Sequence, residues 1–398
     1  MHACRRCAAL ALTAVAVAIG VASTAPAASR GHAAQSTPVV AGPFAGTGMW
    51  IWELNRSSGG SASAIAARAS AHGVSTVFVK SSDGRSWWPQ FSPGLVQALK
   101  AAGLHVCAWQ YVYGFAPAAE ARLGVRAAQL GADCLVIDAE SEYEGRYAQA
   151  DTYVRTLRAA VGPSYPVGLA GFPYVDDHPA FPYSVFLGPD GAQFNVPQMY
   201  WRAIGTTVDR VYAHTMAWNE AYGKPVFPLG QLWENPSPRE VTRFRQLAAA
   251  YGAGGLSWWD WQETSGRGWR AIGNPIASVA TAGSPSYPRL RRGAHGDLVL
   301  LAQEKLRGAG IAAPLSGNLG AATVRALRAF QAQNGVPVTG SLDGATWQAL
   351  SYYPTVRVRW GGHGHAVQAA AAGARNGPAS AWAPAVRDEL PRKSHSVG

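Results

Sequence analysis

The sequence predicts an α/β protein, a (β/α)₈ TIM barrel followed by a small all-α three-helix module. Three observations carry that prediction. Between Met49 and Trp261 a short apolar strand, a loop, an Ala-rich helix and a glycine recur eight times. The strand starts lie 26, 30, 28, 33, 28, 31 and 30 residues apart, as eight strand–helix units over about 240 residues require. After Ser284-Pro285-Ser286-Tyr287-Pro288 the pattern changes to apolar residues at helical spacing.

The predicted strands are Met49–Glu53, Ser75–Lys80, His105–Tyr111, Asp133–Glu140, Pro166–Gly171, Phe194–Tyr200, Pro225–Gln231 and Gly255–Trp261. Ser92-Pro93 and Ser237-Pro238 place a capping serine before a first-turn proline, and Glu240 completes a capping box. Gly73, Gly103, Gly131, Gly162, Gly223 and Gly252 stand where left-handed residues end helices. A doubly wound open sheet would want a Gly-x-Gly-x-x-Gly loop after the first strand, which Ser57-Ser58-Gly59-Gly60 does not supply.

Composition sets the outer limits. At 398 residues, 48% hydrophobic, the chain can bury a core across two or three domains. Charged residues reach 14%, against about 25% in typical soluble domains. The balance of 34 Lys+Arg against 23 Asp+Glu leaves +11, with no run of five like charges. Apart from the N-terminus, no apolar stretch approaches the roughly 20 residues of a spanning helix. These facts exclude a polytopic membrane protein, a coiled coil and a mostly disordered chain.

Residues 1–27 read as a secretory signal peptide, with arginines at 5 and 6, an apolar run from Ala8 to Ala22 and a small-x-small site at Ala25-Pro26-Ala27. The expected localisation is secreted or cell wall-associated, with no membrane span after cleavage. Cleavage would remove Cys4 and Cys7, leaving Cys107 and Cys134 on neighbouring strands, where buried thiols are expected and a bridge is the alternative. No His-Glu-x-x-His pattern occurs, so neither metal nor cofactor is expected.

Barrel chemistry collects at the C-terminal strand ends. There stand Glu53, Lys80 with Asp83, Trp109 with Tyr111, Asp138 with Glu140, Gln198 with Tyr200, Gln231 with Glu234, and Asp260 between Trp259 and Trp261. On the fourth strand Leu135, Ile137 and Ala139 suit the helix-facing side, which turns Val136, Asp138 and Glu140 inward. Carboxylates two residues apart lie roughly 6.6 Å apart along a strand. One can remain protonated for a leaving oxygen while the other stabilises an oxocarbenium centre. The 15 tryptophans, several at strand ends, suit the flat apolar faces of sugars. Glu53, Lys80, Trp109, Tyr111, Gln198, Gln231, Trp259 and Trp261 are the candidate substrate contacts. Lys80 is expected to pair with Asp138, Glu140 or Asp83 rather than serve as a Schiff-base nucleophile. Asp176-Asp177-His178, among prolines, reads as a rim turn.

Asp138-Ala139-Glu140, Gln198-Met199-Tyr200 and Ser257-Trp258-Trp259-Asp260-Trp261 resemble the (β/α)₈ glycoside hydrolases, the chitinase-like and muramidase-like barrels. The chitinase strand-four motif is the longer Asp-x-x-Asp-x-Asp-x-Glu, of which this strand keeps the final Asp-x-Glu. The resemblance implies that Glu140 is the acid, that Asp138 orients an acetamido group or partners the acid, and that Tyr200 helps hold that group. Asp260 completes the catalytic set.

The C-terminal module resembles the three-helix peptidoglycan-binding domain more closely. Gly293, Gly296, Val299, Leu301, Gln303, Leu306, Gly317, Thr323, Ala326, Phe330-Gln331, Asn334-Gly335, Gly340, Asp343, Thr346-Trp347 and Leu350 match nearly the whole module in order. This implies a cell-wall ligand. Arg291 to Val299 recurs in part at Arg359 to Val367, 68 residues on, as if a second copy once began there. The expected organisation is a barrel at 43–282, a linker at 283–288, the binding module at 289–352 and a disordered tail at 353–398. The expected protein is a monomeric, exported cell-wall glycan hydrolase acting on peptidoglycan or a related N-acetylated polysaccharide. No nucleic-acid partner is expected. The alternative is a non-catalytic wall-polysaccharide binder with an inactive hydrolase-like barrel.

Overall fold

The computed structural model describes residues 42–283, 286–358 and 360. The signal peptide read at 1–27, two linker positions and the second repeat beyond Trp360 lie outside the described residues. Eight parallel strands form the barrel: β1 (Gly46–Ile51), β2 (Val74–Asp83), β4 (His105–Val112), β5 (Cys134–Ala139), β6 (Val167–Gly171), β7 (Phe194–Pro197), β8 (Leu229–Gln231) and β9 (Gly255–Trp259). The short β3 (Ser86–Trp87) folds back antiparallel on β2. The sheet runs β7-β6-β5-β4-β2-β1-β9-β8, and the parallel bridges Asn195–Val226 and Gln198–Leu229 join its two edges. All eight predicted strands are present.

Around them lie α1 (Ala62–Ala71), α2 (Pro93–Ala101), α3 (Pro117–Gln129), α4 (Tyr147–Val161), α5 (Tyr183–Phe186), α6 (Val208–Asn219), α7 (Pro238–Ala250) and α8 (Gly266–Gly273). The six predicted glycine stops all have positive φ. Ser92 and Ser237 cap α2 and α7, the latter in a full capping box with Glu240. The fifth unit departs from the pattern. Its helix, α5, is a single four-residue turn, because the prolines at 173, 179 and 182 hold the preceding chain in a long loop.

Strand alternation divides the core in two. Leu135, Ile137 and Ala139 pack outward under the helices. Phe44, Trp50, Phe78, Trp109, Val136 and Phe227 fill the barrel interior. Cys107 and Cys134 are register partners on β4 and β5, both pointing inward, and they form a disulfide. This corrects the expectation of buried thiols: facing positions on neighbouring strands put the two Cα atoms 4.6 Å apart, within bridging range.

The module consists of α9 (Asp297–Gly308), α10 (Ala321–Gln333) and α11 (Gly344–Ser351). Two buried glutamine side chains organise it in the same way. Gln303 accepts from the N–H groups of Ser316 and Gly317 and donates to the Asn318 carbonyl and the Thr323 hydroxyl. Gln331 accepts from Gly340 N–H and donates to the Ser341 carbonyl and the Thr346 hydroxyl. Each amide thus closes a loop onto the next helix with all its polar atoms bonded.

The module packs directly on the barrel, with α9 against the shortened α5. Asp297, fully buried, accepts from Ser184 N–H at 2.8 Å, Ser184 Oγ at 2.7 Å and Tyr222 Oη at 2.9 Å. Its own N–H donates to the Pro179 carbonyl. Gly296, at φ 114°, lies so close to Pro179 that a Cβ would stand 2.6 Å from the proline Cβ. Leu300 completes the seam against Tyr147 and Trp360.

Candidate active site

The C-terminal strand ends surround a cleft of about 790 Å³. The alternation that fills the barrel interior continues upward into its walls, so Trp50, Trp52, Trp109, Tyr111, Trp233 and Trp259 face it. The rings brace one another: Trp50 and Trp109 lie 5.4 Å apart, and Trp109 meets Trp259 edge-on at 5.3 Å. Trp52 Nε1 is buried and finds no hydrogen-bond partner.

Asp138 and Glu140 stand together at the end of β5. A single amide nitrogen, Gln198 Nε2 just beyond β7, donates to Asp138 Oδ1 at 3.0 Å and to Glu140 Oε1 at 3.1 Å. Tyr111, register partner of Asp138, places its hydroxyl 3.5 Å from Glu140 Oε2 and donates to Glu142 Oε2 at 2.9 Å. Burial, then the charge of Glu140, raises the Asp138 pKa well above the carboxylate range, with Lys80 opposing. The Tyr111 hydroxyl is likewise pushed upward by burial and by Glu140. Tyr200 lines the same cleft and meets Trp233 edge-on at 4.6 Å.

Lys80 is 2% exposed and pairs with Asp83 at 2.7 Å, one of the partners expected for it. Asp83 also accepts from Tyr113 Oη at 2.9 Å. The ammonium lies 4.4 Å from the Trp88 ring centre and 4.8 Å from that of Trp109. Lys80 is therefore held by the Asp83 carboxylate and by the ring faces of Trp52, Trp88 and Trp109.

Eight of the twelve sequence candidates line the cleft: Asp138, Glu140, Tyr200, Lys80, Trp109, Tyr111, Gln198 and Trp259. The other four lie elsewhere. Asp260 is buried behind the wall; its Oδ1 accepts from Glu263 N–H at 3.2 Å, its Oδ2 has no partner, and burial raises its pKa to about 8. Gln231 ties down the chain after β7, accepting from Arg202 N–H at 2.8 Å. Glu53 pairs with Arg56. Trp261 packs outward on Trp269, because β9 ends at Trp259 and the alternation lapses there.

Sequence reasoning missed Trp50, Trp52, Glu142 and Glu263. The alternation applied to the fourth strand, applied to the first, would have turned Trp50 and Trp52 inward. Glu142 continues the series 138, 140, 142, although the chain has by then left the strand for a 3₁₀ turn. Asp176 and His178 bond separately to His214 and Glu144, as rim residues do. Among the described residues no cluster of three His, Cys, Asp or Glu side chains could hold a metal, and no helix is long and apolar enough to cross a membrane.

Residues 295–350 match PG_binding_1, the peptidoglycan binding domain. For the barrel, the similar solved structures are distant. The spore cortex-lytic enzyme SleL of Bacillus cereus shares 11% identity over 60% of this chain and 76% of its own, with a TM-score of 0.46. A Chromobacterium violaceum chitinase shares 12% over 57% and 98%, at 0.41. Dihydrodipicolinate synthase of Rhodopseudomonas palustris shares 14% over 55% and 71%, at 0.33. No curated protein matches the sequence.

Proposed function

We propose that the protein is an exported glycan hydrolase that cleaves glycosidic bonds in peptidoglycan or a related N-acetylated polysaccharide while its C-terminal domain holds the wall. One observation carries the reading: the Gln198 amide bridges Asp138 and Glu140 at the foot of a tryptophan-walled cleft. The amide fixes one oxygen of each carboxyl group and keeps the two from drifting apart. Two carboxyl groups this close share a proton, since double ionisation at close range is costly. The buried Asp138 is the natural holder of that proton in the resting state. Glu140, the more exposed of the two, receives that proton from Asp138 and delivers it to the leaving oxygen.

The tryptophan faces bury the apolar sides of the sugar rings, and the unpartnered Trp52 N–H is available to a hydroxyl or carbonyl. Tyr200 supports the acetamido group beside Asp138. The Cys107–Cys134 disulfide suits an oxidising compartment and supports export. Retention on the polymer raises the local substrate concentration at the cleft without further contacts there.

The test incubates the purified chain, and Glu140→Gln beside it, with insoluble peptidoglycan and with chitin. Pelleting and release of soluble reducing sugar are measured together across roughly pH 4 to 8. Release by wild type only, with both proteins pelleting, is the expected result. Pelleting without release on either polymer would leave a wall-binding protein with an inactive barrel.

A further inference from the structure

The module carries a second concave surface, unlike the cleft in every chemical respect. A groove of about 830 Å³ runs between the segment entering α9, the exposed face of α10 and the turn before α11. Four arginines line it: Arg291, Arg292, Arg325 and Arg328. No aromatic ring does. All four are exposed, and none of their guanidinium groups has an ion pair or hydrogen bond among the described residues. Arg325 and Arg328 lie three apart on α10, on one face of the helix.

The opposite wall is held in place. Gln331 fixes Gly340 N–H and the Ser341 carbonyl, and it donates to Thr339 Oγ1 at 3.1 Å. The segment carrying Arg291 and Arg292 is pinned by mutual backbone hydrogen bonds between Leu290 and Leu342.

Charge is distributed in a way that exposes this groove. From residue 289 to 352 the chain has seven Lys and Arg but three carboxylates. Asp297 and Glu304 are buried at the seam with the barrel. Asp343 is committed to capping α11, accepting from Thr346 N–H at 3.0 Å and Oγ1 at 2.8 Å. The acids that could neutralise the arginines are thus turned inward or already bonded.

We propose that this groove is an anion-recognition site that grips the wall polymer by its negative groups, foremost the carboxylates of peptidoglycan peptides. The proposal rests on the wall-binding reading above and names the chemistry through which binding occurs. Paired guanidinium forks match carboxylate and phosphodiester oxygens in the same bidentate manner. The source of the anion is therefore a matter for separate arms of one experiment.

That experiment measures pelleting of the full chain, in a Glu140→Gln background so that the polymer persists. Arg325→Gln/Arg328→Gln is compared with the same chain carrying both arginines, between about 50 and 500 mM salt. Three peptidoglycan preparations are used: untreated, amidated at its carboxyl groups with carbodiimide and amine, and extracted with hydrofluoric acid to remove phosphodiester-linked polymers. The double variant is expected to bind about tenfold more weakly at low salt and to show a shallower salt dependence. Amidation should produce the same loss in the parent and little more in the variant. Loss on acid extraction alone would keep the anion site and overturn peptide carboxylates as its source. Equal, salt-insensitive binding by parent and variant would overturn the proposal while leaving wall binding intact. A parent that fails to pellet at all would instead strike at the wall-binding reading. Unchanged circular dichroism and melting of the variant exclude misfolding as the cause.

Discussion

The barrel mouth is walled by tryptophan, and the module's groove by arginine. The first is floored by Asp138, whose charge is suppressed by burial and by the neighbouring Glu140. The second gathers full positive charges with nothing beside them to cancel it. The difference teaches how one chain can address a polymer that is both sugar and acid. Under the proposed function, flat rings take the neutral faces of the sugars, where selectivity comes from shape and burial. Under the same proposal, exposed guanidinium groups take the polymer's charged groups, where strength depends on the surrounding salt. Cleavage and retention are thereby separable, and each should answer to a different kind of perturbation.

The separation is tested most sharply at Glu140. Glu140→Gln should lower sugar release by about 1,000-fold or more while pelleting stays unchanged. Parallel loss of pelleting would mean that the cleft, not the module, holds the polymer. The pH profile sharpens the same point. Because the folded pKa of Asp138 is raised, its proton is retained at low pH and lost as pH rises through the shifted value. Release should fall on that alkaline side, and Asp138→Asn should flatten the limb; a wild-type rate rising throughout would assign the proton elsewhere.

The seam between the two regions gives the next largest effect. Asp297→Ala leaves Ser184 and Tyr222 without their acceptor and should cost about 2–3 kcal/mol in chemical denaturation. The folded pKa of Asp297 is raised to about 6 from 3.8, mainly by burial. Below the unfolded value the carboxyl is protonated in both states and its contribution is complete. As pH rises from about 4 to about 6 the unfolded form ionises more readily, so stability falls by about 3 kcal/mol and then levels. Asp297→Asn should remove this slope; its persistence would place the titrating group elsewhere.

Smaller still is the loss at Trp52. Trp52→Phe keeps a ring and removes the N–H, so affinity for a soluble chitin oligosaccharide, read by calorimetry, should drop about fivefold. That affinity should change less than about twofold over the salt range that weakens pelleting. A strong salt effect on the oligosaccharide would erase the contrast between cleft and groove.

Most of the architecture was legible in the sequence because strand and helix periods differ and the glycine and serine–proline punctuation agrees with both. The carboxylate pair was legible for the same reason, since β5 alternates cleanly through Asp138. Two kinds of information were not. The sequence places Glu53, Gln231 and Trp261 at strand ends, but β1 stops at Ile51 and β9 at Trp259, and sequence alone does not say which last residue still faces inward. Cys107 and Cys134 fall on adjacent strands in any barrel reading; only the register sets them opposite each other. The prolines after β6 mark a loop, but nothing local announced that the fifth helix would be a single turn or that α9, over a hundred residues later, would pack beside it.

That last arrangement bears on how such a chain could be assembled. Binding modules are commonly pictured as exchangeable cassettes, joined to an enzyme wherever a linker allows. Here the barrel's coat is thin where α5 is reduced to one turn, and the module supplies both a helix and a carboxylate to that place. A module without an acid at position 297 would leave Ser184 and Tyr222 without their acceptor, and one without a glycine at 296 would collide with Pro179. The module therefore serves the barrel as part of its coat, and cutting the chain between them would uncover Ser184 and Tyr222.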